Sequence, residues 1–178
     1  HVLYHGAEAR AFADEMQQAC TDLSRGADEL EEAFRLLEEL PDSDELPDTT
    51  QLDADLADFV SALSVLNDTI QKAMDEYEES GSVSSETQEQ LQTDLRAAFR
   101  CWSAVVDDLD EILQNTDFGA LRDQTLETLK KVAEHLKNAS EAFSSAASHT
   151  GNALESLRRA LELLRSMEGQ ADEVMDQM

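Results

Sequence analysis

Residues 85–115 read SETQEQLQTDLRAAFRCWSAVVDDLDEILQN, and this stretch shows the periodic pattern of the chain most clearly. Its apolar residues recur at alternating spacings of four and three, which places them on one face of a helix of about 3.6 residues per turn. Three further apolar residues widen that face. The spacing therefore predicts one long helix with a stripe of Leu91, Leu95, Ala98, Trp102, Val105, Leu109 and Ile112, widened by Phe99, Val106 and Leu113.

The same spacing recurs before and after this stretch. It predicts a first helix over residues 6–40, which Pro41 ends, and a second over residues 51–80, which Gly81 closes. After a short turn at residues 116–119, the pattern resumes at residue 120 and continues to the end of the chain. Almost the whole sequence is therefore expected to be helical.

The last part of the chain allows two predictions. His149-Thr150-Gly151-Asn152 resembles a turn between helices, and Asn152 with Glu155 matches a capping box. Residues 120–148 and 153–177 would then be separate helices. The periodicity nevertheless continues through the turn with little slip, which would give one helix about 88 Å long. We favour five helices, because no other helix is long enough to cover such a length; four helices with a very long last one is the alternative.

Mostly short connections make consecutive helices antiparallel neighbours. The 178 residues include only two prolines and six glycines, and aromatic residues are 5%, too few for a typical β-sandwich core. The predicted fold is an all-α, elongated, up-down antiparallel helical bundle with seams of coiled-coil type. It forms a single domain over residues 1–178, in which residues 1–5 are an irregular lead-in.

The chain is strongly acidic, with 40 Asp and Glu residues against 13 Lys and Arg and a net charge of −27. Nucleic-acid phosphates and anionic membrane surfaces repel such a chain, whereas a basic protein or cations would be attracted. We therefore expect a protein partner, with a basic one favoured, and no direct binding of nucleic acid. No run of about 18 apolar residues is present, so no transmembrane segment is expected.

Acidic residues are expected to gather at one end of the bundle. Helices one and three would run parallel, so that their C-terminal ends lie together beside the loop after Pro41. Acids at helix C-termini are mildly unfavourable, and their concentration there suggests a site for a basic partner or for divalent cations. A merely solvated surface is the alternative. This acidic pole comprises Asp42, Asp44, Glu45, Asp48, Asp107, Asp108, Asp110 and Glu111.

Cys20 and Cys101 are the two cysteines of the chain. Each lies about 21–24 Å along its predicted helix, so a disulfide between them is predicted if helices one and three are adjacent. The bond would indicate an oxidising compartment, as would the candidate glycosylation sites at Asn67 and Asn138. Two buried, reduced thiols are the alternative.

Common catalytic, cofactor and metal motifs are absent from the sequence: it contains no H-E-x-x-H, C-x-x-C, P-loop or G-x-G-x-x-G. The Glu-x-x-His motif of di-iron bundles is also absent, because the residues three positions before His135 and His149 are Val132 and Ala146. We therefore expect a protein that is not an enzyme and that uses no cofactor and no metal.

These observations favour a non-enzymatic binding module, secreted or displayed at the cell surface, that recognises a protein partner. One alternative is a carrier of an apolar ligand such as lipid. Another is an intracellular acidic decoy or a self-associating scaffold, in a cytoplasm that could be rich in salt. The interior cavity of the carrier would be lined by Phe12, Phe34, Phe59, Phe99 and Trp102.

Overall fold

The computed structural model describes residues 2–41 and 46–177. Within these ranges the chain forms four α-helices and one short 3₁₀ helix, and it contains no strand. In chain order they are α1 (Val2–Glu38), α2 (Thr50–Ser80), α3 (Ser85–Asn115), the 3₁₀ helix (Phe118–Ala120) and α4 (Asp123–Gln177). The all-α helical bundle predicted from the sequence is therefore confirmed.

Consecutive helices run antiparallel. Phe12 stacks on Tyr77 with ring centroids 4.7 Å apart, whereas Gly26, further along α1, lies beside Leu63, which comes earlier in α2. The most extensive contacts join α1 to α4 and α2 to α3, and α1 also packs on α2. The bundle thus consists of two antiparallel pairs that meet along α1 and α2.

Small residues let α1 approach α4 closely. Ala19, Gly26 and Ala33 follow one another at heptad spacing and are buried on α1. A Cβ atom added to Gly26 would lie 3.5 Å from the Cβ atom of Ala142 on α4, so the two backbones are nearly in contact. One position further along, Cys20, Ala27 and Phe34 have the same heptad spacing but are only half-buried.

The prediction of five helices is wrong, because α4 is a single helix of 55 residues, as in the four-helix alternative. Thr150 is fully buried within it, and its Oγ1 atom donates a hydrogen bond to the Ala146 carbonyl at 2.8 Å. The helix continues because α1 covers this segment as well. The buried stripe of α4 therefore runs without interruption through Ala139, Phe143, Ala146, Thr150, Ala153 and Leu157.

Local signals set the C-terminal end of α2 and the N-terminal end of α3 where the sequence predicted them. Gly81 adopts a left-handed conformation with φ 74°, and its N–H donates to the Tyr77 carbonyl at 2.8 Å. The Ser84 hydroxyl accepts a hydrogen bond from the Thr87 N–H and caps α3. Helical structure begins already at Val2, where the sequence had indicated an irregular lead-in.

Candidate functional site

α3 and α4 diverge along one side of the bundle and leave a groove between them. They meet at Phe99 and Phe143, whose ring centroids are 4.9 Å apart, and the 3₁₀ helix connects them at the other end. Between these points α3 packs mainly on α2 and α4 mainly on α1, so the two helices have few contacts with each other. The fourth seam of the bundle is therefore open.

The groove encloses a cavity of about 640 Å³ with mainly apolar walls. The wall from α3 consists of Trp102, Leu109, Ile112 and Leu113. The opposite wall from α4 consists of Leu126, Leu129, Val132, Ala133 and Leu136. Leu37 of α1 and Leu52 of α2 close it from inside the bundle, and Phe118 belongs to its lining too. Ligand-binding clefts in proteins are typically of this size and character.

An exposed apolar stripe on α3 accompanies the groove. Phe99, Val106 and Leu113 follow one another at heptad spacing, and 51%, 37% and 60% of their surfaces are exposed. They are the residues that widen the α3 stripe in the sequence, and in a closed bundle they would face α4. Phe99 touches Phe143 of α4, but α4 diverges beyond this contact, so the stripe at Val106 and Leu113 has no helix packed directly on it in the described part of the chain.

Positive charge is concentrated on the α4 side of the groove. The chain has four lysines, and three of them are Lys130, Lys131 and Lys137. Lys130 and Lys137 line the groove one heptad apart, and Glu141 is the third charged residue of the lining. The sequence analysis missed these residues, although three lysines within eight positions of a chain with 40 acids were a usable signal.

For a carrier, the sequence predicted a cavity lined by five aromatic side chains, and most of these side chains do not line the groove. Of the five aromatic side chains, Trp102 lines the groove, whereas Phe12 and Phe59 are buried in the core and Phe34 packs against that core. Phe99 lies half exposed at the end of the groove. The difference arises because the cavity forms in the open seam between two helices and not along the axis of the bundle.

The structure brings part of the predicted acidic pole together. Asp48, Asp108 and Glu111 line one small cavity of about 360 Å³ beside the start of α2. Asp107 and Asp110 are exposed on other faces of α3. The remaining members, Asp42, Asp44 and Glu45, lie outside the described residues. Among the residues that the structure describes, three carboxylates of the predicted pole thus share one acidic pocket.

At this end of the bundle several carboxyl groups lie close together, and their pKa values differ from the ordinary ones. Partial burial, followed by a hydrogen bond to Asp55, raises the pKa of Asp108 to about 6 from an ordinary value of 3.8. The same hydrogen bond lowers the pKa of Asp55. Burial, with smaller contributions from Glu38 and Asp48, also raises the pKa of Asp53. Asp108 is therefore ionised at neutral pH only at a cost to stability.

We expect the substitution Asp108→Asn to stabilise the protein at neutral pH. The folded state holds the Asp108 proton more tightly than the unfolded state, so the free energy of unfolding falls as pH rises from about 4 to about 6. Removing the carboxyl should raise the free energy of unfolding at pH 7 by about 1 kcal/mol and change it little at about pH 4. Urea unfolding at both pH values measures this.

The control is Asp107→Asn, which removes one negative charge from the exposed neighbouring residue. It should change the free energy of unfolding by less than about 0.5 kcal/mol. If both substitutions stabilise the protein equally at pH 7, the effect comes from net charge, and the raised pKa of Asp108 is contradicted.

The predicted disulfide is wrong, because both cysteines are free thiols. Cys20 accepts a hydrogen bond from Gln71 Nε2 at 3.5 Å on the side of α1 that faces α2. Cys101 lies on α3 near Asp58 of α2, and partial burial raises the pKa of both thiols. The physical reason is that α1 and α3 occupy opposite corners, with α2 between them. The disulfide therefore no longer supports a secreted protein.

The candidate glycosylation sites lie within helices. Asn67 belongs to α2 and Asn138 to α4, and both side chains are half-buried. Neither asparagine stands in an exposed loop, the usual setting of a modified asparagine. Their glycosylation stays a prediction.

Two histidine–glutamate pairs connect α4 to α1. His135 Nδ1 lies 2.5 Å from Glu29 Oε2, and His149 Nδ1 lies 2.5 Å from Glu15 Oε2. Both pairs step by two heptads along their helices, so they fix the register of α1 against α4. Among the described residues, no group of three or more His, Cys, Asp or Glu side chains could hold a metal ion.

No family model matches the sequence, and no curated protein matches it either. In residues 2–41 and 46–177, none of the helices has a segment that is both long enough and apolar enough to cross a membrane. The open groove, the exposed stripe and the charges around them are the features that bear on function.

Proposed function

We propose that this protein is a non-enzymatic carrier that holds an apolar ligand in the groove between α3 and α4. The observation that carries the proposal is the cavity of about 640 Å³ with apolar walls from two diverging helices. An apolar surface of this extent is costly in water, and filling it with an apolar molecule recovers that free energy.

The dimensions of the groove limit the ligand. Its α3 wall, from Trp102 to Leu113, is about 17 Å long at 1.5 Å per residue. Each methylene group moved from water into such a cavity contributes about 0.8 kcal/mol. Affinity should therefore rise with the length of an alkyl chain until the chain fills the groove and then level off.

We expect the substitution Ala133→Phe to weaken ligand binding strongly. Ala133 lies on the α4 wall and is exposed to the groove, so a phenyl ring there would occupy ligand space without disturbing the core. The measurement is the fluorescence of diphenylhexatriene, an uncharged rod-shaped dye that emits only in apolar surroundings. The wild-type protein should enhance its emission in a saturable way, and the variant should bind it at least about tenfold more weakly, a loss of about 1.4 kcal/mol.

The matched control is Ala57→Phe, at an exposed alanine of α2 that does not line the groove. It adds the same ring and should leave dye binding unchanged. Absence of saturable binding by the wild-type protein, or equal binding by both variants, would contradict the carrier proposal.

A second candidate function is recognition of a protein partner, and the exposed stripe of α3 favours it. Phe99, Val106 and Leu113 have the heptad spacing that receives an amphipathic helix in a groove or coiled coil. A partner helix on α3 would complete the open seam. The acidic residues beside the stripe, Asp107 and Asp110, would then attract basic residues of that partner.

The two candidates differ in their dependence on Val106, which belongs to the stripe but does not line the groove. The substitution Val106→Ser should weaken binding of a synthetic amphipathic helix with leucines at heptad positions, measured by fluorescence anisotropy. It should leave binding of diphenylhexatriene unchanged. Tight binding of the peptide together with no binding of the dye would favour the protein partner over the carrier.

A further inference from the structure

The lysines of this chain are placed in an unusual way. Only four of the 13 basic residues are lysine, and two of those four line the one apolar groove described above. Lys130 and Lys137 lie a heptad apart, so both stand along the same edge of α4. Lysine stems can cover apolar surface while the ammonium group stays in water, which places two positive charges at the rim of the groove.

Acidic side chains of the protein neutralise the charges of these two ammonium groups only weakly. Lys130 lies 3.8 Å from Glu127 across an exposed pair, a geometry that contributes little. Lys137 forms no ion pair with any residue that the structure describes, in a chain with 40 acids. Weakly compensated cations beside an apolar cavity are complementary to a molecule with an apolar tail and an anionic head.

The other charges around the groove fix where that head would lie. Glu141 lines the groove next to Lys137 and disfavours an anion at its own position. The acidic pocket of Asp48, Asp108 and Glu111 lies on the other side of Leu52 and Ile112, which line both cavities. An anionic head is therefore favoured only along the α4 rim at the two lysines, with the tail directed along the apolar walls.

The net charge decides how much negative charge the ligand can carry. A polyanionic partner would be repelled by the net charge of −27, since its charges would extend beyond the two lysines. A single charge at the rim interacts mainly with its nearest neighbours, because salt screens charges beyond about 8 Å. A long alkyl chain with a single anionic group meets both conditions, and a carboxylate is the simplest such group.

We infer that the groove binds a single-chain carboxylate of the fatty-acid class, with the carboxylate paired to Lys130 and Lys137. This inference rests on the proposed function and adds the chemistry of the head group. It also assigns Lys130 and Lys137 as the residues that determine specificity, whereas the apolar walls provide the affinity for the tail.

The experiment compares three ligands with the same twelve-carbon chain: dodecanoate, dodecanol and dodecylammonium. Trp102 is the only tryptophan and lines the groove, so its emission reports occupancy without a label. Dodecanoate should bind the wild-type protein about fivefold more tightly than dodecanol, as expected for two exposed charge pairs. Dodecylammonium should bind more weakly than dodecanol, even though the net charge of the chain would attract it.

The double substitution Lys130→Gln with Lys137→Gln should remove the preference for dodecanoate and leave dodecanol binding unchanged. The matched control, Lys72→Gln with Lys131→Gln, changes net charge equally at two exposed lysines outside the groove. It should keep the preference, which separates local pairing from a general effect of charge.

Three results would overturn the inference. Equal affinities for dodecanoate and dodecanol in the wild-type protein would leave the carrier proposal standing and refute the assignment of a carboxylate. Tightest binding of dodecylammonium would show that net charge, and not the two lysines, selects the ligand. No saturable change in Trp102 emission with any of the three would refute the carrier proposal as well.

Discussion

Replacement of Phe59 by alanine is expected to lower the free energy of unfolding by about 3–5 kcal/mol. Phe59 is fully buried on α2, and its ring centroid lies 5.3 Å from that of Trp102 on α3 and 5.4 Å from that of Phe143 on α4. Loss of the ring leaves a cavity where three helices meet, and closely packed neighbours relax into it only in part. Unfolding in urea, followed by far-ultraviolet circular dichroism, measures the change.

Urea suits this protein because it adds no ions that would screen its net charge of −27. The control is Val65→Ala on the same helix, where the side chain is 50% exposed, and it should cost less than about 0.5 kcal/mol. If Phe59→Ala lowers the free energy of unfolding no more than Val65→Ala does, the placement of Phe59 at the centre of the core is contradicted.

Replacement of Gly151 by proline is expected to destabilise the protein by about 3 kcal/mol or more. Gly151 lies within α4, where its N–H belongs to the hydrogen-bonded ladder of the helix. Proline would remove that hydrogen bond, and its ring would clash with the carbonyl four residues earlier. In a turn between two helices, the alternative predicted from the sequence, proline would be far better tolerated. The measurement is again urea unfolding.

Gly151→Ala is the matched control and should act in the opposite direction. Apart from the adjacent residues and the backbone of the same helical turns, no described atom lies within 4 Å of a Cβ atom built at this position, so a methyl group would meet no obstacle. Alanine should therefore stabilise α4 by about 1 kcal/mol through its higher helix propensity. If alanine destabilises the protein and proline does not, the helix is interrupted at this position.

The helix ends could be predicted where a local signal sets them. The left-handed Gly81 and the cap at Ser84 act within one turn of the chain, so the sequence located the end of α2 and the start of α3 nearly to the residue. The apparent turn before Asn152 is the exception. There a local cap signal competes with burial of Thr150 and Ala153 under α1, and tertiary packing prevails.

The arrangement of the helices could not be predicted, because it depends on which pairs of apolar helix faces pack together most favourably. Both α1 and α3 carry apolar stripes broad enough to contact two neighbours. The small residues Ala19, Gly26 and Ala33 bring α1 against α4, and this choice leaves the α3–α4 seam open. Periodicity identifies a face that will be buried, but not the helix that will cover it.

The cysteine prediction failed for the same reason. The two residues do lie on parallel helices, yet α1 and α3 stand at opposite corners. Cys20 contacts Gln71 whereas Cys101 lies near Asp58, at a different level of α2, so neither adjacency nor similar height is provided for a disulfide. In the acidic pole, by contrast, Asp48, Asp108 and Glu111 do meet, because the C-terminal end of α3 and the N-terminal end of α2 lie side by side.

The most direct test of the ligand-binding groove is quenching of Trp102 by an alkyl chain that carries a terminal bromine atom. Bromine quenches tryptophan only at close range, and Trp102 lies on the α3 wall. An uncharged bromoalcohol with a chain about as long as the groove should quench the emission of the wild-type protein saturably and should not quench Ala133→Phe. If calorimetry detects binding of the bromoalcohol while Trp102 emission stays constant, the ligand lies elsewhere and the groove is not the binding site.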